Sequence, residues 1–252
     1  MDTISITAAA VTGARHQRAS RNGQDAVATW RGADSAVVVV ADGCGSGPSS
    51  EVGARLGATL FARLLGARLA RAGNERVDRA ETWAATRVDV VAGLADLLER
   101  VPGDRAQLIH DCWLFTIVAA AVTPDGAAVW ALGDGAYSFG DHTRVLGPFA
   151  DNQPPYLAYD LLGDPREAHF AIAPAGRGTI IIATDGACDL DSGLERFATP
   201  RLVGHPDALR RQLAILARGT ERIEWDERRV VRTPAMLQDD CAVGVLQWRV
   251  PS

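Results

Sequence analysis

A chain of 252 residues, 47% hydrophobic and 23% charged, is long enough for one large core, and no break in composition marks a second unit, so residues 1–252 are expected to form a single domain. The net charge of −5, with arginines interleaved among acids as in Glu221-Arg222-Ile223-Glu224, argues against a nucleic-acid partner held through phosphate contacts. Lysine is absent and arginine supplies all 26 basic residues, which excludes a Walker-type phosphate loop.

The N-terminal residues lack the basic and apolar regions of a signal peptide, and no apolar run reaches the length of a membrane span, so a cytoplasmic protein without a membrane partner is expected. Residues 36–40 read as a buried strand that ends on Ala41-Asp42-Gly43. The stretch Gly43-Cys44-Gly45-Ser46-Gly47 fails the dinucleotide pattern, because Pro48 or Ser50 stands where the third glycine belongs. Pro48-Ser49-Ser50-Glu51 opens a helix, in which Val52, Leu56, Leu60 and Leu64, widened by Phe61 and Leu65, form the predicted core face. Gly53 and Gly57, one turn apart, lower helix propensity and make sense where the backbone packs closely on a sheet. A second helix is predicted over 81–100, with Trp83, Val90, Val91, Leu94, Leu97 and Leu98 inward and Pro102-Gly103 as its stop.

Residues 112–122 and 127–132 read as a β-hairpin around Thr123-Pro124-Asp125-Gly126, and 137–139 with 143–146 as a shorter one around Gly140-Asp141. Residues 147–167 carry Pro148, Pro154, Pro155 and Pro165, which break regular structure and mark a functional loop or flap. A strand at 179–183, helices and a last strand at 241–248 complete the chain. Hairpin-joined strands interrupted by tandem helices predict an antiparallel α+β layered domain.

Four aspartate motifs stand where these apolar runs end or begin: Ala41-Asp42-Gly43, Gly133-Asp134-Gly135, Thr184-Asp185-Gly186 and Asp239-Asp240. One Asp-Gly is an ordinary turn, as Asp125-Gly126 is expected to be. Four at strand ends are better explained by convergence on one rim, where carboxylates repel each other unless a hard divalent cation neutralises them. A magnesium or manganese site follows, and the glycines after Asp42 and Asp185 leave room for a backbone carbonyl to join it. Strand alternation sends Asp239 and Asp240 to opposite faces, so only one of them, taken as Asp240, is expected to be a direct ligand. Asp189-Leu190-Asp191 reads as the end of a turn.

Asp42-Gly43-x-Gly45-Ser46 with Ser50-x-x-Gly53-Ala54, followed by the other three motifs in order, resembles the metal-dependent serine/threonine protein phosphatases of type 2C over residues 24–246. The resemblance implies a four-layer α+β sandwich of two antiparallel β-sheets flanked by pairs of helices. It implies two Mn2+ or Mg2+ ions with Asp42 between them, the Gly43 carbonyl on one, Asp185 and Asp240 on the other, and a third, weaker ion at Asp134. The implied activity is hydrolysis of protein phosphoserine and phosphothreonine by a water that bridges the metals, opposite a partner serine/threonine kinase. A phosphatase of small phosphorylated metabolites and an inactive phosphoprotein-binding adaptor are the alternatives.

Gln24 and Asp25 match the family's acidic pair, while Ser20 stands where its phosphate-binding arginine belongs, which leaves Arg21, then Arg18, as the expected phosphate contacts. Cys44 follows the metal glycine, and no residue matches the histidine that donates a proton in some members. Of the histidines at 16, 110, 142, 169 and 205, only His16 is expected near the site. The cysteines at 44, 112, 188 and 241 are too far apart for a Cys-x-x-Cys zinc site and are expected as thiols. Cys44, Cys188 and Cys241 are each close in sequence to a metal aspartate, and they pack behind the ligands or group as a redox switch.

Overall fold

The computed structural model describes residues 4–71, 75–174, 178–188, 190, 193–205 and 207–248. Asp189 and Asp191, and with them the expected turn end there, lie outside the described residues.

Two five-stranded antiparallel sheets lie face to face. The first orders β1 (Ile4–Val11), β12 (Cys241–Trp248), β9 (Gly178–Ala183), β6 (Gly135–Phe139) and β7 (His142–Leu146). The second orders β2 (Ala26–Arg31), β3 (Ala36–Gly43), β4 (Phe115–Thr123), β5 (Gly126–Leu132) and β8 (His169–Ile172). Both faces of the central strands are buried, so these strands are continuous apolar runs, and successive residues pack into different cores. On β3, Val37, Val39 and Ala41 face α2 (Ser50–Leu69) and α3 (Ala80–Glu99), while Ala36, Val38 and Val40 face the opposite sheet. On β9, Ile181 and Ala183 face α5 (Pro200–Val203) and α6 (Ala208–Leu216), while Ile180 and Ile182 fill the space between the sheets. The order is therefore helix pair, sheet, sheet, helix pair, the four layers expected.

The buried face of α2 is rotated from the expected stripe. Val52 is 42% exposed, and the residues against the sheet are Gly53, Ala54, Gly57, Ala58, Phe61 and Ala62, with Leu56, Leu60 and Leu64 on the flank. A Cβ at Gly57 would sit inside the Phe115 ring and one at Gly53 would strike the Cys112 carbonyl. Small residues let the helix axis approach the sheet, so the closest face is the least hydrophobic by side-chain size. On α3, Trp83, Val90, Leu94 and Leu98 are buried as expected, whereas Leu97 is exposed.

Three further differences bear on the site. Residues 112–113 belong to a π-helical turn, Ile109–Trp113, after the short α4 (Arg105–Leu108), and β4 begins only at Phe115. The proline-rich segment is a packed flap, because Tyr156, Leu157 and Ala158 enter the core under α3, and Asp160 receives two hydrogen bonds from Arg87, at 2.7 and 2.6 Å. A hairpin that sequence periodicity misses, β10 (Thr220–Glu224) with β11 (Arg229–Thr233), stands apart from both large sheets, with Trp225 78% exposed.

Candidate metal centre

The alternation that sorts the strand residues also builds the site. Asp42 continues the row Ala36, Val38, Val40 and so emerges between the sheets where β3 ends. Its neighbour across the ladder on β4 is Thr116, and on the β2 side the pairing of Ala26 with Ala41 brings Asp25 beside it. On the other sheet Thr184 continues the row Ile180, Ile182, and Asp240 precedes Ala242 in the same phase. Each row is apolar along its length and turns polar at the same end of the sandwich.

Those ends form a cleft of about 210 Å³ lined by Asp25, Asp42, Asp134, Asp185, Asp239 and Asp240. Gly43, Gln24, Cys44, His16 and Tyr156 complete its wall. The four aspartate motifs thus converge as expected, and Asp25 joins them. Asp240 is the most tightly held. Its Oδ1 accepts from the backbone N–H of Gly13 at 2.7 Å, and its Oδ2 accepts from the N–H of Gln24 at 2.6 Å and from His16 Nδ1 at 2.8 Å. A carboxylate of this kind only accepts, so the His16 proton sits on Nδ1. Asp239 is exposed and caps the same turn, with its Oδ1 accepting from the Asp240 N–H at 2.9 Å. His16, Asp239 and Asp240 each present a ligand atom within 4.8 Å of the others, so both aspartates line the cleft instead of pointing to opposite faces. The segment 238–240 is irregular and strand alternation begins only at Cys241.

Asp25 accepts from Thr184 Oγ1 at 2.6 Å, and Thr184 Oγ1 in turn accepts from the N–H of Ala242 at 2.8 Å, so one hydroxyl ties the two sheets together beneath the cleft. Burial pushes the Asp25 carboxyl up to about 8, against the lowering effect of its bonds to Thr184 and Asp42, with the charges of Asp240 and Asp185 adding to the rise. Asp42 is likewise raised, by burial first and then by Asp25 and Asp185. Burial and the neighbouring acid charges thus raise both carboxyls. Burial also raises Asp134, and its Oδ1 is buried with no hydrogen-bond partner. An orphaned carboxylate oxygen beside carboxyls raised by burial and mutual repulsion fits hard divalent cations, which take oxygen ligands and displace protons from them.

Gln24 braces the glycine-rich loop. Its Nε2 donates to Ser50 Oγ at 2.6 Å and to the carbonyls of Gly47 at 3.0 Å and Cys44 at 3.3 Å. A Cβ at Gly186 would collide with the Asp240 carbonyl, so the glycine after Asp185 is required by the neighbouring strand. Burial pushes the Cys44 thiol up, but Ser46 Oγ at 3.1 Å, the Tyr156 hydroxyl and the backbone N–H groups of Ser46 and Gly47 outweigh it and the net shift is downward. Burial, and then Cys44, raise Tyr156, which keeps its proton and donates to the sulfur. Of the three cysteines expected near the site only Cys44 lines the cleft. Cys241 faces the α6 side of its sheet and Cys188 is exposed. The described residues contain no disulfide.

Neither expected phosphate contact lines the cleft. Arg21 is exposed in a separate depression with Ser20, Pro48 and Glu51, and Arg18 donates to Gln238 Oε1 at 3.2 Å. Helix α1 (Ala14–Arg18) turns His16, the third member of that helix, toward the acids and Arg18 away. Sequence reasoning missed Thr184 and Tyr156. The phase of β9 signals Thr184, whereas the flap's return over the cleft, which brings in Tyr156, has no local signal.

No curated protein matches the chain in sequence. Among solved structures, a bacterial serine phosphatase aligns with a TM-score of 0.57 at 14% identity, covering 98% of each chain. A serine/threonine phosphatase of S. agalactiae aligns at 0.57 and 13% identity, over 96% of this chain and 98% of that one. The catalytic domain of the serine/threonine protein phosphatase PstP, in complex with two manganese ions, aligns at 0.57 and 16% identity over 97% of each. These likenesses establish a shared fold. The protein phosphatase 2C profile matches residues 12–220, from the turn before α1 through the third of the aspartate motifs to the base of β10, and the chain belongs to the protein phosphatase 2C family.

Proposed function

We propose that this protein serine/threonine phosphatase works through a pair of Mg2+ or Mn2+ ions held in the acidic cleft, on phosphorylated protein segments presented at its rim. The observation that carries the reading is the arrival of Asp25, Asp42, Asp134, Asp185 and Asp240 from separate segments at one end of the sandwich, where burial and mutual repulsion raise Asp25 and Asp42. Asp42, the Gly43 carbonyl, Asp185 and Asp240 would hold the pair. Asp134 would serve a third. When bound, such ions screen the anionic phosphomonoester and lower the pKa of water into a useful range.

The chain's own part is positioning. The Gly13 and Gln24 N–H groups and His16 fix the Asp240 carboxylate in one orientation, which removes reorganisation from the reacting geometry. Thr184 does the same for Asp25. Gln24 holds the loop that carries Gly43, and Tyr156 with Pro154 forms the wall that narrows access by water. His16, held on Asp240 through Nδ1 and lining the cleft, would pass a proton to the departing serine or threonine oxygen. The reaction class that must supply the substrate is a serine/threonine kinase. No described helix is long and apolar enough to cross a membrane, and we take the site of action to be the cytoplasm, where the free thiols of Cys44, Cys112, Cys188 and Cys241 would stay reduced.

Purified protein assayed on phosphoserine and phosphothreonine peptides and on phosphorylated metabolites, with manganese, magnesium or chelator, tests the reading. Metal-dependent release from the peptides is expected. Release from metabolites alone would move the assignment to small molecules, and no release with either metal would leave a binding module.

A further inference from the structure

A second concavity, of about 510 Å³, lies against α1 and is built mainly from the base of the β10–β11 hairpin. Ala14, Gln17 and Arg18 line it, at the i, i+3, i+4 spacing of one helical face, while His16 projects from another face into the catalytic cleft. The helix therefore divides the two sites. The groove's floor is small and buried, with Ala14, Ala217 and Ala235 all under 9% exposed. Its charged side chains are Arg18, Arg218 and Arg232 against Glu221 alone. Arg232 is paired with Glu221 at 2.9 Å. Arg18 meets only the neutral Gln238, and Arg218 makes no ion pair among the described residues.

A positive groove on a chain of net charge −5 stands out, and it adjoins a cleft lined by six aspartates and no arginine. The segment from Ala235 to Asp239 leads from the groove's floor to the cleft's rim and spans at most roughly 13 Å by the reach of an extended chain. A peptide lying over it needs about four residues to cover the same ground. The family profile ends at residue 220, where the hairpin begins, so the groove's outer wall belongs to a part of this chain beyond that match.

We propose that this groove docks an acidic segment of the phosphoprotein substrate, with glutamate or aspartate side chains about four to six residues from the phosphorylated serine or threonine. The inference rests on the phosphatase reading above and adds to it the substrate's charge pattern. Arg18 and Arg218 supply the contacts, and the alanine floor leaves room for side chains between them.

The test compares three phosphothreonine peptides that differ only four to six residues from the phosphothreonine, in being acidic, neutral or basic, with the extension on either side. p-Nitrophenyl phosphate serves as the small substrate, manganese is present throughout, and Arg218→Glu and Arg218→Gln are compared with the parent. Exposed charge pairs are each modest, so the acidic peptide is expected to show roughly fivefold higher kcat/KM than the neutral one, mostly through KM. That advantage should shrink in high salt, vanish in Arg218→Gln and reverse in Arg218→Glu, with p-nitrophenyl phosphate turnover unchanged in both. Equal kcat/KM for acidic and neutral peptides overturns docking but leaves the phosphatase intact. Loss of p-nitrophenyl phosphate turnover in Arg218→Glu, with circular dichroism unchanged, overturns it as well, since the residue would then act on the chemistry. A change in sedimentation caused by Arg218→Glu alone would assign the groove to a second copy and reject a substrate segment. Failure of the parent on every peptide would sink the phosphatase reading and the docking together.

Discussion

Replacing Asp42 by Asn removes a charge that the buried cluster holds at an electrostatic disadvantage, while leaving the shape of the β3 terminus intact. Turnover on a phosphopeptide is expected to fall on the order of 10²- to 10³-fold, the several kcal/mol that metal-assisted stabilisation supplies. The metal-free variant should melt at the same temperature as the parent or higher. Asp185→Asn should behave alike. Near-parental turnover at saturating manganese in either variant would remove these carboxylates from the site. Asp42, Asp134, Asp185 and Asp240 were legible in the sequence because each stands where an apolar run meets a polar residue, a pattern that survives without coordinates. His16 was legible only as a neighbour of residues 24 and 25. Its partner Asp240 lies 224 positions away, and no local rule anticipates that hydrogen bond.

Between the residue and the whole chain, the flap is the element whose behaviour sequence described least well. Its prolines mark irregular backbone, yet Tyr156, Leu157 and Ala158 anchor it in the core, and the Arg87 pair with Asp160, both largely buried, fastens it to α3. Arg87→Ala leaves Asp160 without its partner, at a cost of roughly 1–3 kcal/mol. Faster proteolytic cleavage within residues 150–163 and a lower kcat are expected, because Tyr156 no longer has a fixed backbone beneath it. Cleavage at the parental rate would show that the apolar anchors suffice. The rotated face of α2 and the overlooked β10–β11 hairpin share a physical cause. Periodicity rules weigh large apolar side chains, so they miss a helix face of glycine and alanine and a hairpin with charged residues on its strands.

At the scale of the molecule, the two sheets meet in an acid cluster that couples stability to pH. The Asp25 carboxyl is raised to about 8 in the folded state, so the folded chain retains a proton that the unfolded chain releases near its ordinary value. The native state binds more protons between about pH 4 and pH 8, and the stability of the metal-free protein therefore declines as pH rises through that window. The raised Asp42 adds in the same direction. Divalent cations compete with those protons, so the gap in melting temperature between manganese and chelator is expected to widen from pH 5 to pH 8, by roughly 2–4 °C per kcal/mol for a chain of this size. A gap that is constant with pH would separate the metals from these carboxylates.

The pairing of β1 with β12 runs from Ile4 against Trp248 to Val11 against Cys241. Val11 and Cys241 sit next to the turn and the aspartates of the cleft, whereas Ile4 and Trp248 lie at the far end of the ladder, roughly 25 Å away at the rise of a strand. Any tether or fusion joined before Ile4 or after Trp248 thus departs from the pole opposite the catalytic mouth. Because Ile4 and Trp248 are direct partners, a short linker joining β1 to β12 at that end, with the chain opened instead at an exposed turn such as Gly140-Asp141, is expected to leave the cleft intact.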